Sequence, residues 1–293
     1  MRDYLKLHFV VVLWGFTAVL GKLIDLSATQ VVLFRACASA AILFMVFPRR
    51  ALIPKRLIVA LIANGMLLGF HWMMFFLAVK IANVSICMIA MATISFWTAL
   101  IEPILVRKVR FQWINLLLGL IVVDAVYWIY HSETQFHYGL VVALIGAILA
   151  TLFSIANGLF AGKVDEQSIV MYEMAGAALF CFLALGVANL FGYQLGSDRW
   201  IPIQWEWLWL GILVFGGTLL AYYLYVELLR RLSVFTINFA NNLEPVYGIS
   251  LGALFFGDHH LLGSGFYAGT AVILVAVFVQ PWLVKSESSP SGD

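Results

Sequence analysis

Charge is what this sequence has least of. Of its 293 residues only 11% are Asp, Glu, Lys or Arg, against 63% that are hydrophobic. A water-soluble domain carries about 25% charged and about 45–50% apolar residues. A surface built from this chain could not be kept in water, which excludes a soluble fold. The formal net charge of +2 provides no broad basic field, so nucleic acid is not a partner. Cysteine is scarce as well. Cys37, Cys87 and Cys181 lie inside apolar runs, with no CxxC or Cys/His spacing, which argues against a disulfide framework or a zinc site. GxxxxGK[ST] and HExxH are missing, so an ATP-driven machine and a zinc protease have no motif here. Asp124 is the only aspartate deep in an apolar run, too few for a catalytic pair. The chain is not expected to be an enzyme or to need a cofactor.

What is present is a succession of long apolar runs. A helix needs about 20 mainly apolar residues to cross a bilayer. Ten such runs are expected, near residues 7–26, 29–47, 57–79, 83–106, 111–130, 138–161, 168–191, 205–229, 232–256 and 261–284. They are continuous rather than alternating, which excludes a β-barrel. The first run lacks a clear cleavage site and is read as a retained helix rather than a secretory signal. The tail 286–293, with Ser, Pro and Gly, is expected to be disordered.

Basic residues set the orientation. With the N-terminus in the cytoplasm, Arg2, Lys6, Arg49, Arg50, Lys55, Arg56, Arg107, Lys108, Arg110, Lys163, Arg230, Arg231 and Lys285 fall inside, and only Lys22, Lys80 and Arg199 fall outside. Both termini are therefore expected in the cytoplasm. The stretch Ala78 to Gly119 lies over Leu228 to Gly269 without a gap, pairing Val84 with Val234, Ala90 with Ala240 and Trp97 with Tyr247. An odd number of helices per unit inverts the second copy. The expected fold is thus an all-α integral membrane protein of ten transmembrane helices, arranged as two inverted-topology five-helix repeats (residues 1–135 and 136–285). Inverted repeats serve alternating access about a midplane site.

Trp14-Gly15 with Lys22, Arg35, Glu244-Pro245-Val246 and the placements of Gly119 and Gly269 carry a resemblance. Over its whole length the chain resembles a ten-helix member of the drug/metabolite transporter superfamily, of the EamA type. It departs from that pattern at Ser95, where proline is common, at Arg107, where an acidic residue is common, and at Asp124, where small apolar residues are usual. The resemblance implies secondary transport of small metabolites, often efflux, across a bacterial inner membrane.

Ionisable residues inside spans cost roughly 2.5–3.5 kcal/mol at mid-bilayer, so each needs a partner or a function. Arg35, Asp124, Glu173 and Glu244 are candidates for gating or proton coupling. Asp124 reads either as a buried proton carrier or as the partner of Arg35. Glu102 and Glu227 lie near cytoplasmic ends and are read as interface anchors paired with Arg107, Arg230 or Arg231. Asn238, Asn241, Asn242 and Pro245 share one helical face within about a 100° arc; that face is either bonded to another helix or forms a polar cavity wall. The facing residues Met88, Met91, Ala92 and Ser95 are soft and apolar, and serve either as an adaptable wall or as ordinary core. Asn64 and His71 share a face, His71 being either a ligand or proton carrier, or a structural residue. Thr151, Ser154 and Asn157 form a polar stripe, and Tyr222, Tyr223 and Tyr225 follow one another in the eighth span. Among the tryptophans, Trp14, Trp72 and Trp97 are deep enough for a cavity, whereas Trp200, Trp205, Trp207 and Trp209 read as an interfacial belt. The Asn-Val-Ser triplet at Asn83 lies too near the membrane to be glycosylated.

The candidate substrate-binding set is Trp14, Thr17, His71, Trp72, Met91, Ser95, Trp97, Asn157, Tyr222, Asn238, Asn241 and Asn242. The expected activity is secondary transport of a small organic metabolite, an amino acid or related amphipathic solute, in the export direction. The alternative is proton-coupled transport of an organic cation or drug in an aromatic cage; a membrane receptor or assembly protein is more distant. Expected partners are the solute, the lipid bilayer and, as a candidate coupling ion, protons. A monomer is expected, with a dimer as the alternative.

Overall fold

The computed structural model describes the backbone of residues 2–287. Among these residues there is no β-sheet, only helices and short connections. In chain order the helices are α1 (Arg2–Leu23), α2 (Ala28–Val46), α3 (Lys55–Ile81), α4 (Val84–Met91), α5 (Ile94–Leu105), α6 (Trp113–Ser132) and α7 (His137–Phe160). They continue with α8 (Glu166–Leu190), α9 (Glu206–Val214), α10 (Ala221–Leu229), α11 (Val234–Ala240), α12 (Glu244–Phe256) and α13 (Ser264–Glu287). Eight segments are long and apolar enough to cross a membrane, with α4 joined to α5 and α9 to α10 as single spans. The last two expected runs coincide with the broken segment α11–α12 and with α13. Of the tail expected to be disordered, 288–293 lie outside the described residues.

Three helices, α2, α4 and α11, begin at a side-chain cap. Ser27 accepts a bond from the Gln30 amide at 3.2 Å, and the Gln30 side chain accepts from the Ser27 amide at 2.9 Å. Together they close a capping box that starts α2. Asn83 caps α4 by accepting from the Ile86 N–H at 2.8 Å, and it is fully buried, so the glycosylation triplet is a helix cap. Ser233 does the same for α11 through the Thr236 N–H at 3.1 Å. At the end of α12, Gly257 takes a left-handed φ of 66°, the usual residue for stopping a helix in that conformation.

Within lipid, helix association depends on close packing and polar contacts rather than on expulsion of water. The tightest seam is α3 against α8. A Cβ added to Gly69 would lie 2.9 Å from the Ala177 Cα, and one added to Gly176 would lie 2.9 Å from the Gly65 Cα. Main chain meets main chain there. Further seams join α3 to α7, α2 to α8, α6 to α13, and α1 to α12.

Two spans break in mid-course. One breaks at Ala92–Thr93, between α4 and α5, and the other at Asn241–Leu243, a single 3₁₀ turn between α11 and α12. The broken pieces run in step, with Val84 and Ile94 opening the first pair and Val234 and Glu244 opening the second. A third irregularity is a π turn, Phe215–Leu220, between α9 and α10. Such turns release backbone groups and recur at functional sites.

Candidate functional site

Between α1, α2, α3, α7, α10 and the two breaks lies a cavity of about 70 Å³. One water needs about 10–15 Å³ on this measure, so the space takes several waters or a small solute. One wall is aromatic and centred on Tyr222. Trp14 lies 6.0 Å from its ring, Trp72 5.9 Å and Phe153 5.9 Å, and Tyr225 follows at 5.5 Å. The sequence places Tyr222 and Tyr225 three apart, on one side of α10, so both reach inward. Leu68 and Phe75 on α3 complete the apolar lining.

The opposite wall is polar and fully determined. Asn238 donates to the Thr98 hydroxyl at 2.9 Å and accepts from Ser154 at 3.0 Å. Having spent its proton on Asn238, the Ser154 hydroxyl accepts from the Tyr225 phenol at 3.0 Å. Thr98 in turn donates to the Ile94 carbonyl at 2.8 Å, a group at the break of the first span. Asn238 thus ties α11 to α5 and α7 across the cavity edge. Asn241 also lines the space, and its Oδ1 is buried without a hydrogen-bond partner.

Three ionisable residues line the cavity. The Arg35 side chain donates from Nε to the Thr218 hydroxyl at 2.6 Å and from Nη2 to the Gly217 carbonyl at 2.9 Å, both in the π turn. Its guanidinium lies 3.6 Å above the Trp72 ring. His71 places Nδ1 2.9 Å from the Gly146 carbonyl, so the neutral tautomer that fits carries its proton there. Glu244 opens α12, is buried, and has no hydrogen bond or ion pair among the described residues. Pro245 follows it in the first turn of α12, where a missing N–H costs nothing.

Nine of the candidate binding, gating and coupling residues therefore meet here: Trp14, Thr17, Arg35, His71, Trp72, Tyr222, Asn238, Asn241 and Glu244. The others lie elsewhere. Met91 is buried beside Gly146 of α7. Asn242 donates to Ser95 at 2.9 Å, and both border a second void of about 10 Å³ next to α6 and α13. Both residues belong to the 3₁₀ turn, Asn241 lining the cavity and Asn242 the second void, so the amides do not share one continuous face. Trp97 is half-buried against Phe96, with its ring nitrogen unpaired. Asn157 and Asn64 donate to the two oxygens of Glu173, at 3.3 and 2.8 Å, making a separate, fully buried polar centre between α3, α7 and α8.

Two expectations about partners are corrected. Asp124 is exposed on the outer side of α6, neither buried nor paired with Arg35, because Gly119, Val122, Ala125 and Val126 form the side of that helix that packs inward. Glu102 is buried in α5 without an ion pair to Arg107. Glu227 does pair with Arg231, at 3.5 Å, and more closely with Lys6 at 2.8 Å. Ser154 and Tyr225 were legible from the polar stripe and the tyrosine run, whereas Phe153 carried no signal of its own. Gly217 and Thr218 were not, their only signal being a glycine pair inside an apolar span.

One solved crystal structure shares the fold, with a TM-score of 0.71, 16% sequence identity, and coverage of 98% of this chain and 99% of its own. No curated protein matches the chain in sequence. Residues 137–280 match the EamA-like transporter family. Through that stretch, in an all-helical frame of apolar spans, the chain is similar to the EamA-like transporter family, part of the drug/metabolite transporter superfamily.

Proposed function

We propose that this chain is a secondary transporter that carries a small amphipathic organic solute, in the export direction, by alternating access about the cavity between two inverted five-helix repeats, residues 1–135 and 136–285. One observation carries the reading. The cavity is lined from both halves of the chain and sits where two spans break at corresponding positions. Paired discontinuities of this kind are the strongest pointer to a midplane binding site in transporters built from repeats. The side-chain caps Asn83 and Ser233 precede those spans at matching places, which supports the repeat. The family match begins at residue 137, close to the expected start of the second unit.

On this reading ten helices cross the inner membrane, with both termini in the cytoplasm. Lys22, Lys80 and Arg199 then gather at the external end with Asp25, Glu206 and Asp258. Asp3, Lys6, Glu166, Glu227, Arg230 and Arg231 gather at the cytoplasmic end.

The test is solute flux in liposomes holding the purified protein, with a labelled amino-acid and amine panel and imposed pH gradients and membrane potentials. Flux of at least one solute is expected, together with its loss in Trp72→Ala and Tyr222→Ala. Flux that ignores both gradients would remove His71, Glu173 and Glu244 from any coupling role. A second reading, an organic-cation carrier, is favoured by the aromatic wall around Tyr222 and opposed by the Arg35 guanidinium in the same wall.

A further inference from the structure

Arg35 is 2% exposed, deep in α2, and the neighbours that hold it are neutral: a hydroxyl, a carbonyl and an indole face. Among the described residues no carboxylate lies within ion-pairing distance of it. Glu173, a second buried candidate for gating or proton coupling, is engaged with Asn64 and Asn157. A cation at this depth is costly and is ordinarily paired. Here no counter-charge among the described residues pairs with it, while the guanidinium faces the cavity.

The geometry is that of a prepared receptor. The Thr218 hydroxyl donates its proton to the Leu213 carbonyl at 2.8 Å, so its lone pair is committed to the Arg35 Nε–H. Gly217, in the same π turn, takes one Nη2 proton. Stacking on Trp72 occupies the face of the guanidinium but not its edge. Of the five N–H donors of an arginine, those on Nη1 and the second on Nη2 have no acceptor among the described residues. That edge is a planar fork matched to a carboxylate.

Resting on the transport reading above, we propose that Arg35 anchors a carboxylate of the transported solute, so that the cavity takes organic acids and zwitterions and refuses solutes whose only charge is positive. Among the described residues no lysine and no second arginine lines the cavity, which fits a singly charged carboxylate rather than a phosphate. Glu244, unpaired on a different wall, receives an amino group where the solute has one.

The experiment is a melting-temperature titration of the purified full chain with two matched sets of probes. One set is phenylalanine, hydrocinnamate, phenylalaninamide and phenethylamine; the other is leucine, isocaproate, leucinamide and isoamylamine. In at least one set the two probes with a free carboxylate stabilise the protein, and the amide and amine bind about tenfold or more weakly. Arg35→Lys keeps the charge but loses the fork, and weakens the acids by a similar factor. Thr218→Val, which leaves the charge in place and frees Nε, weakens them less. Because the wild-type series needs no variant, a misfolded Arg35→Lys protein does not blunt the test. Amides or amines that bind as tightly as the acids overturn the assignment, and so does unchanged acid binding by Arg35→Lys. Amines that cross liposomes while acids do not would leave transport standing and remove the carboxylate anchor. Silence of every probe in both binding and flux overturns the two readings together.

Discussion

Asn238 shows how much of the cavity depends on single side chains. One amide satisfies Thr98 and Ser154 at once and through Ser154 positions the Tyr225 phenol. Asn238→Leu would leave a buried hydroxyl without its acceptor, at about 1–3 kcal/mol, and release Tyr225. The expected result is a lowered melting temperature together with loss of solute flux, whereas Phe235→Leu, on the same helix but outside this network, keeps both. At this scale the sequence was legible where a polar residue sits in an apolar run: Asn238, Asn241, His71 and Arg35 all stand out that way. It was opaque about partners. Arg35 was read as a candidate for gating or proton coupling, yet its ligands are a hydroxyl and a carbonyl of a π turn. No local pattern announces such a turn, which arises from Gly216-Gly217 under tertiary contact.

For whole helices, hydropathy located the elements within a few residues because lipid imposes one length on all of them. It did not show where they break. The break at Ala92–Thr93 has no Gly or Pro in it; Thr93 and Ser95 bond back to the Ala90 and Ala92 carbonyls at 2.7 and 3.2 Å, competing with the helical ladder. The second break comes just ahead of Pro245 rather than after it, since that residue is at home in the first turn of α12. Asp124 belongs to this scale as well. It stands on the exposed side of α6 among Leu117, Leu120 and Ile121, a position that costs roughly 2.5–3.5 kcal/mol for an ionised group at the centre of a bilayer. Asp124→Leu is therefore expected to raise the melting temperature and leave flux unchanged. A loss of flux would show that the carboxylate serves transport after all.

Across the molecule as a whole, ion pairs fasten the two halves at both ends. Asp258, fully buried, holds Lys22 of α1 at 3.4 Å and accepts from the Ser85 N–H and hydroxyl at 3.3 and 3.4 Å. Lys6 meets Glu227 at the other end, and Arg231 meets Asp3 at 3.1 Å. Asp258→Asn keeps the Ser85 bonds and loses the charge. Its expected cost is about 1 kcal/mol, since Lys22 is partly open to solvent, and a double-mutant cycle with Lys22→Met should return a coupling of that order. Zero coupling would mean that Asp258 acts through Ser85 alone. Between these fastened ends runs the contact of α3 with α8, where Gly65, Gly69 and Gly176 let one backbone touch the other. One helix from each half of the chain is in effect welded to the other at these glycines, main chain against main chain. Any rocking of this molecule must turn about that weld as a door turns on its pin. A bulky wedge such as Gly176→Leu would not jam the door in one position; it would take out the pin.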